Sequence, residues 1–205
     1  MTISTNASPF DQTMRLRLLQ IGGGLVAFAL LVIRPVFSME AHEFIEDTGL
    51  LVVVIGIAGR LWSTLYIGGR KNDALVTTGP YSITRNPLYV SSCIAAAGVG
   101  LMAGSLVIAA TLFVLAYCAL GMARNGEEKY LDSRYGAAFA AYRTRTPRFW
   151  PQPLLYREGS SPTFSPKALR RTFVDGLWFI ALFPALELVE HLQDVHVLPV
   201  WLTLY

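Results

Sequence analysis

The sequence predicts an all-α, polytopic membrane protein with about five transmembrane helices, its N-terminus cytoplasmic and its C-terminus outside. Three observations lead there. Of 205 residues, 53% are hydrophobic and only 15% charged, and the mean hydropathy is +0.45, above that of an ordinary soluble domain. The excess is gathered into five apolar segments, most of them near the roughly 20 residues a helix needs to cross a bilayer. With those segments as spans, every basic residue except Arg34 and Arg60 falls on one side, which the positive-inside rule makes the cytoplasm.

The elements follow in order. Residues 1–14 are polar. Residues 18–33 form a first span, extendable to Phe37 by tilt or by snorkelling of Arg34. No small-residue cleavage pattern follows Arg15 and Arg17, so no cleaved signal peptide is expected. Glu40, Glu43, Glu46 and Asp47 make an acidic outer connector, and 48–67 a second span. A polar loop over 68–73 leads through 74–78 to the stretch Gly79-Pro80-Tyr81-Ser82-Ile83-Thr84-Arg85-Asn86-Pro87-Leu88-Tyr89. The third span is 87–102, a tight turn occupies 103–105, and the fourth span is 106–123. A basic, proline-containing segment covers 124–171. The fifth span is 173–189 and a short outer end follows. The expected organisation is 1–47 for tail, first span and connector, 48–151 for a core with a cytoplasmic site, and 152–205 for linker, fifth span and tail.

The 79–89 stretch carries the chemistry. Gly79-Pro80 marks a turn. Asn86-Pro87 reads as an N-cap followed by proline at the first helical position, where its missing N–H costs nothing. Arg85, Asn86 and Tyr89 therefore stand at the mouth of a membrane helix, where free N–H groups suit an anion; a snorkelling boundary with an aromatic belt reads equally well from this stretch alone. Arg60 lies inside a span, a position that either snorkels or faces an internal polar pocket. Gly98-Val99-Gly100 follows no strand, so close helix packing is expected there. Glu127 and Glu128 end the fourth span; either they pair with Arg124 one turn earlier, or one of them faces a cationic ligand. Tyr142, Arg143, Arg145 and Arg148 continue a run of aromatics and arginines suited to an amphiphile with an acidic or polar head. The two cysteines fall in apolar segments and imply neither disulfide nor metal site. Glu187-Leu188-Val189-Glu190-His191 only superficially resembles an inverted zinc motif, because its first residue is Glu and no further ligand is evident. No metal is expected. Asp175 reads as a helix N-terminal charge.

Taken in order and spacing, Leu75-Val76-Thr77-Thr78-Gly79-Pro80-Tyr81, Arg85-Asn86-Pro87-Leu88-Tyr89, Glu127-Glu128, Leu131, Tyr135-Gly136, Tyr142 and Pro147-Arg148 resemble the superfamily of isoprenylcysteine carboxyl methyltransferases and phospholipid methyltransferases. The resemblance covers roughly residues 50–151. It implies S-adenosyl-L-methionine in a pocket at the cytoplasmic face, with a lipophilic acceptor entering from the bilayer. Carried over by position, Asp73, Ala74, Leu75, Val76 and Tyr81 contact the cofactor. Asn86, Pro87, Leu88 and Tyr89 wrap it, and Glu127, beside Glu128, takes its cationic side. Two departures stand out. Many relatives have His where this chain has Asn86, and the arginine that binds substrate carboxylate in isoprenylcysteine enzymes is replaced by Ala123, with Arg124 next to it.

Residue chemistry is consistent with that implication. Methyl transfer from a sulfonium is an in-line displacement governed by positioning and desolvation. Arg85, Glu127 and Arg143 are the expected catalytic residues. Arg60, Arg124, Tyr142, Arg143 and Arg145 are expected to bind acceptor, which could be a prenylcysteine-like carboxylate, a phospholipid amine or a small thiol. The expected partners are the lipid bilayer, taken to be the prokaryotic inner membrane, and the lipophilic acceptor itself, with no nucleic acid. Two other classes fit the composition: a sterol-type membrane reductase using a nicotinamide cofactor, and a non-enzymatic scaffold or transporter.

Overall fold

The computed structural model describes residues 33–35, 39–68, 74–159 and 164–204. The body of the expected first span, and Asp73, lie outside the described residues. Strand β1 (Ile33–Pro35) leads to helix α1 (Met39–Ile67). After it come the one-turn α2 (Pro80–Ile83), α3 (Pro87–Met102), α4 (Leu106–Tyr135) and α5 (Ala137–Arg145). A 3-10 turn (Pro153–Leu155), α6 (Pro166–Asp194) and strand β2 (Leu202–Leu204) complete the order. β1 pairs parallel with β2, Arg34 opposite Thr203, and otherwise the described regular structure is helical.

Three helices are long and apolar enough to cross a membrane, within α1, α4 and α6, and α3 is a shorter apolar helix. The protein is an integral membrane protein. Several boundaries differ from the sequence expectation, each for a physical reason. Residues 40–47 are the opening of α1, not a connector, because Glu-Ala-His-Glu is helix-favouring and Glu40 complements the helix dipole in the first turn. Residues 33–35, at the end of the expected first span, are extended, as the residue before Pro35 prefers. α4 continues twelve residues past Ala123 to Tyr135, so Glu127 and Glu128 ride on the same helix as the span. α6 starts at Pro166, with Ser165 Oγ accepting from the Ala168 N–H at 3.3 Å. Asp175 is therefore mid-helix, not at an N-terminus, and lies within electrostatic reach of Arg60.

Helices α1 and α3 pack backbone to backbone. A Cβ on Gly56 would sit 2.7 Å from the Ala95 nitrogen, and one on Gly98 2.7 Å from the Val53 nitrogen. Small residues permit that approach, as is usual between membrane helices. Val53, Ile57, Val99 and Met102 form the buried centre, with Phe179, Phe183 and Leu186 of α6 closing it. Arg60 is held inside this bundle, its Nη1 donating to Ser92 Oγ on α3.

Gly98→Val should therefore destabilise the bundle by about 1–3 kcal/mol, the usual range for overpacking. Gly126→Ala, in a helix where an added Cβ meets nothing within 4 Å, should stabilise by up to about 1 kcal/mol. Thermal unfolding of the two detergent-purified variants checks both signs.

Candidate active site

The cleft arises from a mismatch of helix lengths. At about 1.5 Å per residue, α3 spans roughly 24 Å, less than a bilayer's hydrocarbon core, whereas α4 spans roughly 45 Å. α4 therefore runs on past the start of α3, and the space between them is roofed by residues 74–89 and α5. The resulting cavity is about 280 Å³, near the lower end of small-molecule sites. One wall is Ala74, Leu75, Val76 and Tyr81; another is Arg85 to Tyr89 at the head of α3. The third is the α4 face bearing Glu127, Glu128, Tyr130, Leu131 and Tyr135, completed by Phe139 and Tyr142 of α5 and Ile67 of α1.

Residues 79–86 are held by a strap, residues 147–157. Arg85 N–H donates to Pro147 O at 2.9 Å, Gln152 N–H to Ile83 O at 2.9 Å, and Gly79 N–H to Arg157 O at 2.8 Å. Side chains add to this. Thr84 Oγ1 donates to Phe149 O at 2.9 Å, Asn86 Nδ2 to Arg148 O at 2.7 Å, and Tyr142 Oη to Tyr81 O at 2.7 Å. Phe149 anchors the strap in a cluster with Val90 and Cys93. Gly79 is required twice over: its φ is +60°, and a Cβ would lie 2.3 Å from the Tyr66 ring.

Asn86 occupies the N-cap position with Pro87 first in the helix, yet its side chain makes no cap hydrogen bond. It is spent on the strap instead, so the cap reading holds for position and not for chemistry. Glu127 and Glu128 divide sharply. Glu128 is ion-paired to Arg85 at 3.2 Å and to Arg148 at 3.1 Å, and the same Arg148 Nη2 donates to Asn125 Oδ1. Burial works against the charge on Arg85, and Glu128 offsets it. Among the described residues no ion pair joins Glu127, which lines the cleft and acts electrostatically on Tyr81. Burial holds the phenols of Tyr81 and Tyr142 well above the ordinary tyrosine value, so both are neutral.

Twelve of the expected site residues thus surround one cleft. Four do not. Arg124 is buried, its guanidinium stacked over Tyr117 at 5.1 Å and Phe149 at 5.6 Å, and pairs with neither glutamate. Arg60 is in the bundle interior. Arg143 and Arg145 are exposed on α5 and do not line the cleft. Expectation missed Leu131, Tyr135 and Phe139 as lining residues, although the spacing of 127, 131 and 135 is one helical face.

Comparison with known proteins meets this geometry here. Residues 24–138 match the family described as phospholipid methyltransferase. The chain belongs to that family. It is 40% identical over 159 residues to the cobalt-zinc-cadmium resistance protein CzcN of Cupriavidus metallidurans, covering 76% of this chain and 72% of the relative. It is 33% identical over 206 residues to the nickel-cobalt-cadmium resistance protein NccN of Alcaligenes xylosoxydans xylosoxydans, covering 96% and 94%. No solved structure matches it. As a phospholipid methyltransferase family member, the chain is methyltransferase-like over the α1–α4 core that builds most of the cleft.

Tyr142→Phe should cost about 1–3 kcal/mol, because the Tyr81 carbonyl then loses its buried donor. The pH dependence has a definite sign. Unfolded, Tyr81 and Tyr142 ionise near pH 10; folded, they keep their protons, so the unfolded state binds fewer and stability falls as pH rises beyond about 10. Tyr142→Phe should show a shallower alkaline loss than the parent in melts across that range.

Proposed function

We propose that this protein transfers a methyl group from S-adenosyl-L-methionine to a lipophilic or amphiphilic acceptor at the cytoplasmic face of the membrane. One observation carries the reading. Residues of the pattern that resembles the methyltransferases, drawn from as far apart as Leu75 and Tyr142, 67 positions, line a single cleft at the head of a short membrane helix.

The residues fit the cofactor on their own chemistry. Tyr81 Oη is buried with no hydrogen-bond partner among the described residues, an arrangement that calls for a polar ligand. Glu127 brings an uncommitted carboxylate to the same cleft, and the Tyr81 and Tyr89 rings offer faces for a cation. Leu75, Val76 and Leu88 supply apolar wall. When bound, the cofactor supplies an electrophilic methyl group on a sulfonium. Glu127 would hold the cationic side, while Pro87 to Tyr89 would fix the orientation. The strap and Phe139 would keep water from the apolar end. The neutral Tyr81 and Tyr142 are poor bases at physiological pH, so the acceptor arrives as a nucleophile needing little deprotonation. Arg143 acts electrostatically on Arg85 and is available to an anionic acceptor head. Arg60 and Arg124 we assign to packing. Basic residues crowd the cleft end of the molecule, which supports a cytoplasmic position for that end by the positive-inside rule, as in a prokaryotic inner-membrane protein. The relatives' names suggest that the reaction serves a metal-resistance setting.

Thermal stability with and without S-adenosylhomocysteine tests this. At about 100 times its dissociation constant the ligand should add roughly 2.7 kcal/mol to the folded state. Glu127→Gln and Tyr89→Ala should each lose most of that shift, and Glu187→Gln should keep it. A folded parent protein that shows no shift sinks the proposal, and a shift with a reduced nicotinamide dinucleotide alone would replace it by the reductase reading.

A further inference from the structure

The opposite end of the α1–α6 pair holds a second cluster that the proposed reaction does not use. His42 and Glu46 stand one turn apart on α1, and Glu190 reaches them from near the end of α6. His42 Nε2 lies 2.9 Å from Glu190 Oε1 and 3.3 Å from Glu46 Oε1. One ligand atom from each residue falls within 4.8 Å of the others. Along the helix, His42 is about 37 Å from Ile67 at the cleft, so the two places are separate.

A neutral imidazole Nε2 has one proton in one direction and cannot satisfy two carboxylates equally. A metal ion can. With ligand distances of about 2.0–2.2 Å, neighbouring donors around a tetrahedral or octahedral ion lie roughly 3.0–3.5 Å apart, which brackets or approaches both observed separations. The carboxylate pair needs only side-chain adjustment. Charge points the same way. Among the described residues, Glu46 is acted on by His42 against Glu190, Glu187 and Asp47, an anionic excess that a cation relieves. The side chains of His42 and Glu46 are each 13% exposed and that of Glu190 32%, so the cluster is shielded yet open on the Glu190 side. Sequence reading looked to His191 in this stretch, but His191 is exposed, and it is the adjacent Glu190 that meets a histidine 148 residues earlier.

We propose that His42, Glu46 and Glu190 bind one divalent transition-metal cation of the zinc class, water completing its coordination. One imidazole with two carboxylates and no thiolate suits Zn²⁺, Co²⁺ or Ni²⁺ better than a soft monovalent ion, and the nitrogen donor disfavours Mg²⁺. The site stands on its own geometry and does not depend on the methyl-transfer reading.

The test uses the full chain in detergent, freed of any histidine tag and of metal by chelator, then titrated with Zn²⁺ and desalted. Elemental analysis should give one bound zinc per chain, with a rise in melting temperature that excess Mg²⁺ does not reproduce. Glu190→Gln is nearly isosteric and on the most exposed of the three, so folding should survive it. It should weaken zinc binding at least about tenfold, as should His42→Ala, while Glu187→Gln binds like the parent. No zinc in the folded parent, equal binding by the Glu190→Gln and His42→Ala proteins, or an equal response to Mg²⁺ would each overturn the proposal. The response to S-adenosylhomocysteine, read in the same samples, should be untouched by Glu190→Gln.

Discussion

The backbone between the second and third apolar segments must turn at the membrane boundary with only one helical turn of its own, so its polar groups need partners from elsewhere. Leaving a buried amide or carbonyl unpaired costs about 1–3 kcal/mol, more than the net gain from making the bond. The strap of residues 147–157 meets most of that requirement, through backbone amides and the side chains of Thr84 and Asn86, and Tyr142 of α5 adds a donor to the Tyr81 carbonyl. Cleft shape depends on it, because Tyr81, Arg85 and Asn86 are the residues so fixed. Phe149 ties the strap in turn to α3 and α4, so the site and the bundle share an anchor.

Two adjacent glutamates acquire different tasks from simple helical geometry. Consecutive positions on an α-helix point about 100° apart. Glu128 turns into the Arg85 and Arg148 guanidinium groups and becomes part of the scaffold, while Glu127 is left facing the cavity. The two arginines take up the charge of Glu128, and among the described residues no ion pair takes up that of Glu127.

Much of this was legible in the sequence. Apolar runs located α1, α3, α4 and α6, since a bilayer imposes a length on any helix that crosses it. The Asn86-Pro87 boundary and close helix packing at Gly98 were legible from local pattern, whereas the choice of Glu127 over Glu128 came from the family resemblance. What escaped reading depended on distant partners. The side chain of Asn86 was expected to cap its own helix and instead serves the strap, a choice decided 62 residues away. Arg124 was expected to bind acceptor, or else to meet Glu127 or Glu128 one turn on, but ring faces of Tyr117 and Phe149 claim it. The acidic 40–47 segment read as a loop because charge masked good helix formers, and its pairing with α6 has no sequence signal at all.

The strap also sets an order of assembly. Its hydrogen bonds to the 79–86 turn join residues 62 to 78 positions apart, so the head of α3 emerges from the ribosome long before its partners do. At about 5–20 residues per second, a span of about 78 residues takes roughly 4–16 s. For that interval α1, α3 and α4 can be inserted and packed while Thr84 and Asn86 still face water or lipid headgroups. The packing of α1 with α3 and α4 is thus a product of insertion, and the cleft a later closure made by the chain's own downstream segment.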